Sequence, residues 1–135
     1  MASIRKEINV DAPAAEVWAA LRDVGEVHRR VVPGFVIDCR MEGEARVVTF
    51  ANGLVARELI VGVDDKARRL AWSARSERLE HHNASVQVFE NGSAHCWVVW
   101  IADVLPHAAA SAVGAMMEAG AAVMSKTLAA HSKAA

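Results

Sequence analysis

Within seventeen residues, Ile8–Val24 (INVDAPAAEVWAALRDV) carries the end of a strand, a turn at Pro13 and the start of an amphipathic helix. The spacing of Ile4, Lys6, Ile8 and Val10, with its β-branched content, predicts a strand ending at Asp11. Asp11 is placed to cap the helix, Pro13 suits a first helical turn because no backbone donor is lost there, and Glu16 lies near the positive end of the helix dipole. Val17, Ala20, Leu21 and Val24 then recur at helical spacing beside Trp18, and Gly25 stops the run. Taken with the long, nearly uncharged segment from Pro106 to Ala135, this opening points to a curved sheet closed around a C-terminal helix.

The stretch between them is written mostly in period two. A second short helix over Glu26–Val32 is ended by Pro33-Gly34, after which Phe35, Ile37, Cys39 and Met41 alternate with polar or smaller residues and are expected to face inward. Ala45–Ala51 and Leu54–Val63 flank Asn52-Gly53, a dipeptide suited to a two-residue hairpin, which would set Ala51 against Leu54 and Val47 against Glu58. After a turn at Asp64-Asp65-Lys66, Arg68–Arg75 puts Leu70, Trp72 and Ala74 on the one face that can be core. The polar segment Ser76–Asn83 leads into a strand over Ala84–Glu90, and Asn91-Gly92 marks another hairpin. In Ala94–Val104 the uncharged set Cys96, Val98, Trp100, Ala102 and Val104 is the expected interior face. From Pro106 onward few breakers interrupt a long helix, with Val113, Met117, Gly120, Met124 and Leu128 on one stripe bordered by Met116 and Val123.

Composition narrows the function classes. With 135 residues and 53% hydrophobic content, one domain spanning 1–135 can bury a core without disulfides or a structural metal. Only 5% of residues are aromatic, so alanine supplies much of that apolar content and the core is partly built of small side chains. A net charge of -1 offers no basic field for nucleic acid. Cys39 and Cys96 read as reduced, buried small hydrophobes. The charged N-terminus lacks a signal-peptide core, and Glu118 and Lys126 interrupt the C-terminal apolar run, so no membrane span is expected and a soluble, cytoplasmic protein is the default.

The order strand, helix pair, six strands and long helix resembles the helix-grip arrangement of the START-related, Bet v 1-like (SRPBCC) superfamily. The residues that carry the resemblance are VDAPAAEVWAALRDV at Val10–Val24, Pro33-Gly34, the block Gly43–Ile60 with Arg46, Gly53 and Glu58, Trp100, and Pro106 before the final helix. The polyketide cyclase/dehydrase-like branch looks nearest. The resemblance implies an α+β fold of about seven antiparallel strands wrapped around the C-terminal helix, enclosing an elongated apolar cavity for lipids, sterols, polyketides or hormones. Carried over by position, the lining would include Phe35, Ile37 and Cys39 from one strand, and Val47, Leu54, Glu58 and Ile60 from the hairpin, whose loop Ala51–Leu54 would be a gate. Later strands would add Leu70, Trp72, Val86 and Trp100, and the long helix Val113, Met117 and Met124. The hormone-receptor branch anchors a ligand carboxylate with a lysine where this chain has Ile37, which argues against binding a small acid by the same means.

Two side chains are candidates for chemistry. Glu58, inward by resemblance, is either a carboxylate with the raised pKa a general acid or base needs, or the partner of an arginine or buried water that holds the sheet together. The strand itself leaves both faces open, because Val55, Leu59 and Val61 on the other side are equally apolar and carry Arg57. His82 shares parity with Val86 and Val88, so it either reaches the cavity as a proton shuttle or sits exposed at a loop edge. Arg57, Arg68, Arg69, Arg75 and Arg78, interleaved with Glu77 and Glu80, read as a solvated face. Scattered histidines, and no His-x-x-x-His or Cys-x-x-Cys spacing, give no expectation of a metal, and no fingerprint calls for a cofactor.

The leading functional expectation is binding of a small hydrophobic or amphipathic molecule by a monomer or homodimer. The alternatives are a polyketide cyclase/dehydrase-type enzyme using Glu58 and His82 as acid and base, and a protein-interaction module whose outer face carries Phe89 and Trp97.

Overall fold

The computed structural model describes residues 2–77 and 79–134. Among these, the period-two stretches form seven strands: β1 (Ala2–Val10), β2 (Val36–Glu42), β3 (Ala45–Phe50), β4 (Val55–Asp64), β5 (Arg69–Arg75), β6 (His81–Asn91) and β7 (His95–Leu105). Helices α1 (Ala14–Arg22) and α2 (Val27–Arg30) lie between β1 and β2, and α3 (Ala110–Ala134) follows β7 through a 3-10 turn at His107–Ala109. The strands form one antiparallel sheet in the order β1-β7-β6-β5-β4-β3-β2. Each step from β2 to β7 is therefore a hairpin, and the chain enters the sheet at β1, beside its last strand. The sheet curves around α3 in the helix-grip arrangement.

Burial follows the sequence pattern where strands are regular. Leu70, Trp72 and Ala74 of β5 and Cys96, Val98, Ala102 and Val104 of β7 are buried. So is the α3 stripe Val113, Met117, Gly120, Met124 and Leu128. Within His107–Lys133 an 18-residue window has a mean hydropathy of 1.3, apolar and long enough by composition to span a membrane, and here the helix supplies the helical side of the core. Both thiols are free.

Four local readings are corrected. Asp11 does not cap α1: the carbonyl of Pro13 accepts from the amides of Glu16 and Val17, and Asp11 pairs with the His95 ring. Helix α1 ends at Arg22, and Gly25 sits in a following 3-10 turn, where a Cβ would lie 3.2 Å from Cγ of Met41. Strand β6 begins at His81, three residues before the expected start, because the polar residues 81–83 pair in register with Asp103, Val104 and Leu105. The fourth is the β3–β4 hairpin. Its loop holds three residues, 51–53, between the bonded pair Phe50 and Leu54, with Gly53 at φ +89°. A two-residue turn would need positive φ at Asn52 as well; instead the Asn52 side chain accepts from the Leu54 amide, and Gly53 alone takes the left-handed conformation. This single-residue difference slides the register, so that Arg46, not Val47, lies opposite Glu58.

Candidate functional site

Side-chain size along the inner face decides where the interior is filled. On the sheet, Ala56 of β4 and Ala74 of β5 carry only methyl groups, and around the start of α3 the chain offers Ala108, Ala109 and Ala112. Larger neighbours, among them Trp72, Trp100 and Met117, surround the space these leave. The result is a cavity of about 420 Å³ between the concave sheet and the first half of α3, bordered at one end by Leu54, Ser76, Leu79 and Pro106. Among the described residues its polar side chains are few: Glu58, Ser76 and His82 beside the two indoles.

Glu58 is buried on the inner face, which settles the orientation of β4. The hairpin register brings Arg46 across from it, and Nε of Arg46 donates to Oε1 of Glu58 at 2.7 Å, with side chains only 5% and 10% exposed. Nη1 of Arg46 also donates to the Val24 carbonyl at 3.2 Å, and the guanidinium lies 5.3 Å from the centre of the Trp72 ring. The carboxylate thus has an arginine partner, and it still borders the cavity. Burying two charges demands such compensation from hydrogen bonds and a polarisable ring.

His82 lines the same cavity. Burial pushes its imidazole below the ordinary value of 6.5, the nearby negative charge of Glu58 opposes that shift, and His81 adds to it. At neutral pH this ring is an uncharged acceptor and donor. The thiols are different: burial raises both, Cys96 to about 11, so neither is poised as a nucleophile.

Of the other expected lining residues, Phe35, Leu54, Trp72, Trp100, Val113 and Met117 border the main cavity. Leu70, Val86 and Met124 instead border a second, smaller chamber of about 80 Å³, next to the Arg46–Glu58 pair. Cys39 lies on the inner side but is taken up by the turn after α1, its thiol donating to the Val24 carbonyl at 3.7 Å, and Ile60 packs against the core. Ile37 and Val47 are corrected. A bulge between Val36 and Asp38 throws Ile37 outward, 58% exposed, while Phe35 and Val36 face in. Val47 pairs with Arg40 and Arg57 and so shares the outer face.

Phe50, Ala56, Ala74, Leu79 and Ala109 also line the cavity, beyond the residues expected from the sequence. Ala56 and Ala74 are legible there, since each has the parity of an inward neighbour, Glu58 and Trp72; Leu79 lies in a polar connection with no periodic signal. Among the basic residues Arg57, Arg69 and Arg75 are exposed, and Arg68 pairs with Glu90 at 3.1 Å. Arg78 lies outside the described residues. Phe89 and Trp97 stack at 6.0 Å, with Phe89 37% exposed. Among the described residues, no three His, Cys, Asp or Glu side chains are grouped as a metal site would require.

A family model described as polyketide cyclase / dehydrase and lipid transport matches residues 1–131. No curated protein matches the chain. Among solved structures, protein XoxI from Bacillus cereus superposes with a TM-score of 0.83 at 14% identity, covering 98% of this chain and 96% of that one. A Thermobifida fusca protein solved by NMR gives 0.75 at 29% identity, covering 96% and 91%. The Zhui aromatase/cyclase from a Streptomyces species gives 0.70 at 16% identity, covering 98% and 93%.

Proposed function

The chain belongs to the polyketide cyclase/dehydrase and lipid transport family, and from that membership we propose that it binds a small, largely apolar molecule in the cavity under α3. The observation that carries the reading is the cavity itself: about 420 Å³, lined mainly by apolar side chains, with few polar groups among the described residues, at Glu58, Ser76 and His82. Pockets of roughly 300–1,000 Å³ with such a lining suit small ligands, the apolar walls supplying affinity and the sparse polar atoms orientation. The ligand class is therefore a lipid-, polyketide- or aromatic-like molecule with one or two oxygen functions. Native mass spectrometry of the purified protein, with titration of anilinonaphthalene sulfonate, tests this. A retained small molecule or saturable one-site probe binding is expected; protein that carries nothing and does not saturate would sink the reading.

A second reading is favoured by one observation, that the His82 imidazole, whose pKa burial pushes below the ordinary value, lines the same cavity as the Glu58 carboxylate. Such a ring can take a proton from an activated carbon and return it to a departing hydroxyl, the steps a cyclisation followed by dehydration requires. The fold is shared with an aromatase/cyclase. Glu58, tied to Arg46, would then set the field at the imidazole instead of moving the proton itself. With a synthetic poly-β-ketone, product formation above buffer and its loss in His82→Gln would support catalysis. A wild-type rate equal to buffer would leave binding as the function.

A further inference from the structure

The main cavity and the smaller chamber share five residues: Phe35, Phe50, Glu58, Trp72 and Trp100. Two of these are committed to the sheet side, because Glu58 is held by Arg46 and the face of Trp72 lies under the guanidinium. Phe35 and Trp100 behave differently: Trp100 starts on β7 and Phe35 in the turn before β2, and both reach the helix. A Cβ added at Gly120 would lie 3.1 Å from Cε2 of Phe35 and 3.3 Å from Cη2 of Trp100. These rings therefore cross the whole interior and rest against the bare backbone of α3. Phe50 braces Phe35 edge-on, with ring centres 5.6 Å apart at 79°. Behind them, the chamber is bounded by apolar groups such as Leu21, Val31 and Leu70 and by the Arg46–Glu58 pair.

We propose that Phe35 and Trp100, seated on Gly120, form an aromatic partition that ends the main cavity and so sets the length of ligand the protein accepts. The proposal deepens the binding reading and rests on it. An apolar chain entering from the Leu54 and Leu79 end gains affinity with each methylene it buries until it meets the two rings; further methylenes remain in the entrance. Trimming either ring joins the two spaces, about 420 Å³ and 80 Å³, along one axis and makes room for a longer chain.

The test is displacement of anilinonaphthalene sulfonate by primary alkanols of increasing chain length. In the wild type, affinity should climb about fourfold per methylene and then stop climbing at one definite length. Phe35→Ala and Trp100→Phe should each move that length upward; Phe35→Leu, which keeps most of the core volume, should move it less and covers the case in which Phe35→Ala does not fold. Variants that bind the series with the wild-type stopping length overturn the partition and leave the binding reading standing. A wild type that neither binds the probe nor discriminates chain length overturns both.

Discussion

Arg46 and Glu58 show how one residue of register fixes the character of the site. Had the hairpin closed on two residues, a valine would oppose the glutamate and an unpaired carboxylate would face the cavity; the three-residue loop places a guanidinium there instead. Removing one member leaves the other charged and buried, so Glu58→Leu should lower unfolding free energy by about 3–5 kcal/mol, with Arg46→Met/Glu58→Leu recovering much of the loss. Urea unfolding of the two variants would measure this; a single variant with the wild-type midpoint would contradict it. His82 makes a separate prediction in pH. Its folded value is depressed below 6.5, so between the two values the unfolded chain holds a proton that the folded one does not. The contribution of His82 is fully present above about pH 6.5 and is lost as pH falls toward the folded value. His82→Gln should flatten this part of the stability profile; an unchanged slope would show that the ring is not held neutral by the fold.

At the level of elements, regular segments are readable in the sequence and interruptions are not. Strands β5 and β7 and the stripe of α3 are set by the positions of Leu70, Trp72, Val98, Met117 and Met124, whose spacing alone assigns them to a buried face. Period two cannot announce a bulge, because an inserted residue only reverses parity beyond it; Ile37 reads as inward for that reason. Loop length is hidden similarly at Asn52-Gly53, where Asn-Gly fits either a two-residue or a three-residue closure. The distinction bears on stability: at φ +89°, Gly53→Ala puts a side chain in the left-handed region and should cost about 1–2 kcal/mol. Thermal or urea unfolding that leaves Gly53→Ala as stable as the wild type would show that the loop closes in another way.

For the whole molecule, the sequence marks which residues face inward but not whether they meet. The shortage of aromatic residues and the abundance of alanine indicate a core of small side chains, and the fold converts that shortage into empty volume at one end of α3, beside a packed core that includes Val17, Val98 and Val104. The resemblance to a family of containers supplies the expectation of a cavity; Ala56 and Ala74 supply its physical cause. Refilling that space is the most direct test. Ala74→Phe projects a ring into the cavity beside Glu58, replacing void with packed surface. Titration of anilinonaphthalene sulfonate should give saturable one-site binding to the wild type and none to Ala74→Phe, with the cooperative unfolding of both proteins preserved. Equal saturable binding to a folded Ala74→Phe variant, or none to the wild type, would contradict the claim that this cavity is the binding site.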